Sequence, residues 1–291
     1  MLTKNLDTDL ILLNAGYAEH YGDWNWKDLK SPIIRIHLVV KGAGVLERNS
    51  KSYVMRANHM YLTPSNLTQS YICDGELSLF YIHLYEPIEK QNLLFDFLEF
   101  PVEIESDDFI LELFTRLICA NPDRDLKTYD PSIYENGNEL FQNIATQKSD
   151  SLANSLACKG IIQLILSKFA IKAIEKFPSE DPRVMEILKF IHHNCHKTIY
   201  LEQLADQVHM SKDHMIRIFK REIGVTPVEY INRKKIERSQ MMLITSNITI
   251  KEISYSLGFE SISYFNQIFK KHVGLTPLSF KKMITNKQVE E

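Results

Sequence analysis

At 291 residues, with 44% hydrophobic and 24% charged side chains, the chain has the composition of an ordinary globular protein and the length for two domains, each with its own core. No apolar run approaches the roughly 18 residues of a membrane span, and no low-complexity segment occurs. The net charge of −3 hides an asymmetry: residues 1–179 carry 17 Lys+Arg against 24 Asp+Glu (−7), and residues 180–291 carry 17 against 13 (+4), so an anionic polymer would bind the second half.

The start, Met-Leu-Thr-Lys-Asn-Leu-Asp, lacks a signal-peptide core. Cys73, Cys119, Cys158 and Cys195 show no C-x-x-C spacing and read as reduced thiols. Both features lead us to expect a cytoplasmic protein. Trp24 and Trp26 stand in a polar arm, placed either to anchor that arm or to stack on a ligand.

Residues 33–85 read as β. Ile34, Ile36, Leu38 and Val40 alternate with Arg35, His37, Val39 and Lys41, the period of a strand. Further strand-like runs lie at Ser52–Met55, His59–Leu62 and Leu77–Tyr85, with turn signals at Gly42-Ala43-Gly44 and Pro64-Ser65-Asn66. Short strands with regular turns predict a sandwich or barrel. Strand parity puts Arg35, His37 and Lys41 on one face of the first strand, and Leu79, Tyr81 and His83 on one face of the last. If they converge inside the barrel, with Tyr71 and Trp24, they offer ring faces and hydrogen-bonding groups to a hydroxylated small molecule; otherwise they form the wet side of a sheet. A catalytic metal needs about three clustered ligands. His37, His59 and His83 are spread without such a pattern, so neither metal nor cofactor is expected.

From about residue 106 the period becomes helical, with Phe109, Leu113, Phe114 and Leu117 on one face. Asp123 to Asn138 reads as a loop. Leu152 to Phe177 reads as one long helix, apolar enough (Ile161, Ile162, Leu164, Ile165, Leu166, Phe169, Ile174) to be either core or a dimer interface. We favour the interface, with Ile165 and Phe169 in it. Pro178 to Pro182 is the best domain boundary.

The tail then says one thing twice. Phe219-Lys220-Arg221-Glu222-Ile223-Gly224-Val225-Thr226-Pro227 recurs as Phe269-Lys270-Lys271-His272-Val273-Gly274-Leu275-Thr276-Pro277, 50 residues on. Each copy reads as a supporting helix, a tight turn and a second helix. Leu201, Leu204, Ala205 and Val208 line the first supporting helix, and Ile250, Ile253, Ser254 and Leu257 the second. Ser211 is expected to cap the next helix, Gly224 to end it, and Thr226-Pro227 to open the one after. Two copies are too few for a solenoid. A pair of units with basic outer helices instead suits two adjacent stretches of a DNA groove.

At these residues the chain resembles the C-terminal domain of the AraC/XylS family of bacterial transcription regulators, over residues 183–283. The resemblance is carried by Ile253-Ser254, Gly258-Phe259, Ser263-Tyr264-Phe265, Phe269-Lys270-Lys271 and Gly274-Leu275-Thr276-Pro277. Gln267 stands where many relatives carry an arginine, and Tyr200 where a Ser or Thr cap is usual. Residues 33–85 are more loosely similar to the cupin-like sensor domain of that family. The metal-dependent cupin enzymes also look similar there, but the usual His-x-His pair is missing and Gln69 stands in the place of a later ligand histidine.

The resemblance implies an α+β protein. A cupin-like β-barrel with a helical dimerisation segment (1–178) is followed by an all-α domain with two helix-turn-helix units (182–287). It implies a non-enzymatic regulator, more often an activator, that works as a homodimer on promoter DNA with RNA polymerase and answers to a small-molecule effector such as a sugar. The DNA-facing residues would be Lys212, Asp213, Ile216, Arg217, Lys220 and Arg221 in the first unit. In the second they would be Thr249, Ile262, Ser263, Asn266, Gln267, Lys270 and Lys271. By groove chemistry Arg217 suits guanine, Asn266 and Gln267 suit adenine, and the lysines suit phosphates. Thr249, at a helix start, could offer its hydroxyl and nearby N–H groups to a phosphate.

Overall fold

A computed structural model describes residues 10–31, 33–86, 94–131, 151–176, 181–246 and 248–285. Residues 132–138 of the expected loop and 178–180 of the expected boundary lie outside the described residues. The chain divides into two compact units, with the main division between Ile174 and Glu175.

The first unit is built on strands β1 (Ile11–Tyr21), β2 (Trp26–Lys30), β3 (Ile34–Arg48), β4 (Lys51–Arg56), β5 (His59–Thr63), β6 (Thr68–Ile72), β7 (Glu76–Tyr85) and β8 (Glu103–Glu105). All their ladders are antiparallel. The long strand β3 serves two layers. Its first half lies between β5 and β7, giving the order β1-β7-β3-β5-β8, and its second half lies between β4 and β6, with β2 beyond β6. Among the described residues no ladder joins the outer strands of the two layers, so the sheet is bent and open where a closed barrel was expected. Strands β1 and β2 were not foreseen. The first half of β1 is buried on both faces and so shows no alternation to read.

The period-two pattern sorts the sheet's two faces. Ile34, Ile36 and Leu38 on β3 and Ile82 and Leu84 on β7 pack against helices α1 (Asp108–Cys119) and α2 (Leu152–Ala170). Asp107 caps α1 by accepting from the Ile110 N–H at 2.9 Å, and Ser151 caps α2 by accepting from Asn154 at 3.2 Å. Ile162, Ile165, Leu166 and Phe169 of α2 belong to this core, and Ile165 and Phe169 are wholly buried. Their expected place in a dimer interface is therefore wrong. The apolar side chains that α2 leaves exposed are Leu152, Leu156 and Leu164. The helix also ends at Ala170, short of the expected Phe177.

The second unit is all helix: α3 (Pro182–Asn194), α4 (Leu201–Gln207), α5 (Lys212–Ile223), α6 (Pro227–Thr245), α7 (Ile250–Ser256), α8 (Ile262–Val273) and α9 (Pro277–Thr285). The duplication is structural. Helices α5 and α8 each end on a left-handed glycine, Gly224 (φ 83°) and Gly274 (φ 84°), and each glycine N–H donates to the carbonyl of Lys220 or Lys270 at 2.9 Å. Phe219 and Phe269 occupy matching, fully buried positions. The 19-residue α6 between the pairs is about 28 Å long at 1.5 Å per residue.

Candidate nucleic-acid interface and enclosed cavity

Helices α5 and α8 turn matching faces outward. Each is fixed by its buried stripe, Met215, Ile218 and Phe219 in α5 and Phe265 and Phe269 in α8. What remains on the outside is Lys212, Asp213, His214, Arg217, Lys220 and Arg221 of α5, with Ile216 partly covered. On α8 it is Ser263, Tyr264, Asn266, Gln267, Lys270 and Lys271, with Ile262 partly covered. The two sets coincide at the 50-residue offset but differ in chemistry. The first is strongly charged; the second puts neutral amides where the first has Ile216 and Arg217.

Internal partners separate these residues further. Lys212 is held by Glu202 at 2.7 Å, a hydrogen bond that shifts the ammonium upward, and Arg221 pairs with Glu222 at 2.7 Å. Arg217, Lys220, Lys270 and Lys271 make no ion pair among the described residues and can meet phosphates or bases without breaking one.

The caps also differ. Ser211 stands at the N-cap of α5 but forms no side-chain cap bond, against expectation, while Ser261 caps α8 by accepting from Tyr264 at 3.1 Å. The Thr249 hydroxyl accepts from the Glu252 N–H at 3.2 Å and lies 2.8 Å from the Glu252 carboxylate. That hydroxyl closes a capping box beside a negative charge, not an open phosphate seat. At the start of α4, Tyr200 donates its N–H to Gln203 at 3.1 Å without a side-chain cap of its own.

On the face of the sheet away from α1 and α2, the first unit encloses a cavity of about 350 Å³, part of it open to solvent. Its lining includes Trp24, Arg35, His37, Tyr71, Tyr81 and His83, six of the seven residues proposed from sequence for a small molecule. His20, Trp26 and Tyr129 add to the polar-aromatic wall, and Leu79 is among the apolar residues beside it. Lys41 is elsewhere. A bulge between Val39 and Lys41 breaks the strand's parity, and the lysine reaches solvent to pair with Glu76 at 2.6 Å.

Inside, the rings pack on one another. Trp24 lies 4.5 Å from Tyr71 and stacks on His20 at 5.2 Å, centroid to centroid. Tyr71 accepts from Gln69 Nε2 at 3.0 Å and lies 3.2 Å from the Thr63 hydroxyl. Tyr81 hydrogen-bonds to Asp125 and accepts from the Leu126 N–H at 2.7 Å; Gly16, opposite Tyr81 on β1, leaves the space this requires. Burial and that carboxylate push the Tyr81 hydroxyl upward. His37 is held down to about 3 by burial, with the Arg35 charge adding to the effect, and His83 is depressed for the same reasons. Both imidazoles are thus neutral at physiological pH. Of the lining residues, His37 Nδ1 and Trp26 Nε1 are buried without a hydrogen-bond partner among the described residues and are open to a polar ligand. Among the described residues no group of three or more His, Cys, Asp or Glu is placed to hold a metal ion, and no helix is long and apolar enough to cross a membrane.

Comparison with known proteins decides the class. A helix-turn-helix domain model matches residues 204–283. The Msm operon regulatory protein of Streptococcus mutans serotype c is 24% identical over 92% of this chain and 93% of its own length. The xylose operon regulatory protein of Escherichia coli K12 is 33% identical over 101 residues, 35% of this chain and 26% of that protein. Residues 204–283 form a helix-turn-helix domain of the AraC/XylS type. The chain is a DNA-binding regulator and not an enzyme. Among solved structures, ToxT of Vibrio cholerae O395 aligns over 96% of this regulator and 99% of its own chain, with 16% identity and a TM-score of 0.48.

Proposed function

We propose that this AraC/XylS-type regulator activates transcription under the control of a small hydroxylated effector, a sugar or sugar derivative. In this reading residues 1–178 sense the effector and dimerise, and residues 182–287 bind promoter DNA through two helix-turn-helix units, α4–α5 and α7–α8. Arg217 reads guanine, Asn266 and Gln267 read adenine, and Lys220, Lys270 and Lys271 bind phosphates. The carrying observation is the repeated outward face of α5 and α8, fixed by the same buried phenylalanine and the same glycine cap. It supports two readers in one protomer.

For the effector, the support is a cavity that combines ring faces with unpartnered hydrogen-bonding atoms at His37 and Trp26. A ring of hydroxyls uses both, and ligand sites commonly pair ring or apolar walls with a few polar groups. One relative is named for a xylose operon, which agrees with a sugar. For the homodimer, the support is the exposed row Leu152, Leu156 and Leu164, which falls within about a third of the circumference of α2. RNA polymerase is the partner that activation requires.

Fluorescence tests the sensing half directly, because Trp24 and Trp26 are the chain's two tryptophans and both line the cavity. Titration with a panel of neutral monosaccharides and sugar derivatives should give a saturable change for one of them. Tyr81→Phe should lose that response while retaining DNA binding. A purified protein carrying stoichiometric tight metal, or a flat response across the panel, contradicts this reading.

A further inference from the structure

The sequence Arg233-Lys234-Lys235 in α6 looks like one more basic patch, yet Lys235 is only 4% exposed. Its ammonium donates to the Gly258 carbonyl at 3.1 Å and stands over the Phe259 ring, 5.1 Å from the centroid. The Thr198 hydroxyl donates to the same carbonyl, also at 3.1 Å. One backbone oxygen therefore ties together the segment leading into α4, the connecting helix α6, and the turn between α7 and α8. Gly258 itself is left-handed (φ 66°), and a Cβ there would run into the backbone of Lys197 and Thr198, so the approach is too close for any other residue. A second bond, from Asn232 Nδ2 to the Tyr264 hydroxyl at 3.0 Å, fastens α6 to the first turn of α8.

We infer that Lys235 is a positioning residue that fixes the second helix pair against the first, so that the protein reads its two half-segments at one spacing and one rotational phase. The inference rests on the two-unit reading proposed above. Lys235 touches no DNA-facing position; it acts through Gly258, three residues before the Ser261 cap of α8. Burial lowers the ammonium to about 8, with Cys195 and Glu260 opposing the shift, so it remains mostly charged near neutrality and its bond to the carbonyl is charge-assisted. A joint of this kind makes phase a property of the protein. Without it, α6 still connects the pairs, but Asn232 and Thr198 alone orient them less tightly.

The test uses the full chain and a duplex site selected by it from random sequence. Footprinting of the wild type first establishes two protected half-segments, and a single protected segment refutes the two-unit reading itself. About two base pairs are then inserted between the halves, a rotation of roughly 70° on a turn of about 10–10.5 base pairs. The wild type should lose at least about tenfold in affinity. Lys235→Met keeps the buried stem and deletes the charged donor. It should bind the selected site about tenfold less tightly and lose less than about threefold more on insertion. Lys235→Arg should restore most of the insertion penalty. A variant of equal thermal destabilisation elsewhere, such as Val184→Ala, should weaken both sites equally and keep the penalty. A Lys235→Met protein that retains the full wild-type penalty, or that behaves like the Val184→Ala control, overturns the inference. If Lys235→Met does not fold by circular dichroism, Thr198→Val removes the other donor to the same carbonyl, and an unchanged penalty there overturns it equally.

Discussion

The two units of this regulator treat the polar side chains of their proposed binding sites in opposite ways. The sheet unit hides them: Arg35, His37 and His83 are each at most 2% exposed around an enclosed cavity. The helical unit displays them, with Arg217, Lys220, Gln267 and Lys270 in solvent on matching helix faces. The difference follows from what each would bind. A small neutral ligand gives few contacts, so its site gains affinity by excluding water and by leaving hydrogen bonds for the ligand to complete. A duplex is a large, charged, hydrated rod, and neutralising it takes exposed cations that keep their charge at every working pH. Hiding changes the chemistry of a side chain; display leaves it ordinary.

The largest expected effects come from violating the hidden side. Ile165→Glu or Phe169→Glu places a carboxylate in the core between the sheet and α2, and should unfold the sheet unit at a cost above about 4 kcal/mol. Leu156→Glu, on the exposed row of the same helix, should leave folding intact and yield monomers by light scattering. A monomeric wild type removes the dimer; a folded Ile165→Glu protein removes the core assignment.

Acid should separate the units next. His37 titrates near 6.5 when unfolded and at about 3 when folded, so between those values the unfolded state binds the extra proton. The stability this contributes is fully present above pH 6.5 and is lost as pH falls towards 3. Each pKa unit is worth about 1.4 kcal/mol, which makes the effect on the order of a few kcal/mol, with depressed His83 acting in the same direction. Urea melts followed by tryptophan fluorescence at pH 7.5 and 4.5 should show the loss, and His37→Gln should reduce it.

On the displayed side, Arg217→Ala and Gln267→Ala should each cost about 1–3 kcal/mol on the selected site and relax specificity at one position. Lys270→Ala should weaken binding evenly across sequences and lower the salt slope by about 1. Lys41→Ala, which deletes a cation from the sheet unit's outer surface, should change neither the effector response nor DNA binding.

The displayed half was the more legible in sequence. A duplicated amphipathic pattern names its buried stripe, and whatever remains is the outer face, so residues from Lys212 to Lys271 could be assigned by subtraction. The hidden half was readable only where alternation survived, at Arg35, His37, Tyr81 and His83. Alternation failed at Lys41, where a bulge resets parity. His20 lies in the alternating second half of β1, but that run is only five residues long and follows a half buried on both faces, so the strand was not read; Tyr129 lies outside any regular element. In α2 the apolar residues surround the helix, so periodicity could not tell core from interface. Lys235 escaped notice for the opposite reason. A lysine beside Arg233 and Lys234 reads as solvated, and only tertiary packing shows that it points inward.

The central claim, two groove readers in one protomer, is tested most directly by hydroxyl-radical footprinting of the full chain and two variants on one selected duplex. Arg217→Ala should lose protection in one groove segment. Asn266→Ala combined with Gln267→Ala should lose it in the neighbouring segment, about 10 base pairs away on the same face. Loss of one and the same segment by both variants, or protection unchanged in both, would contradict two readers.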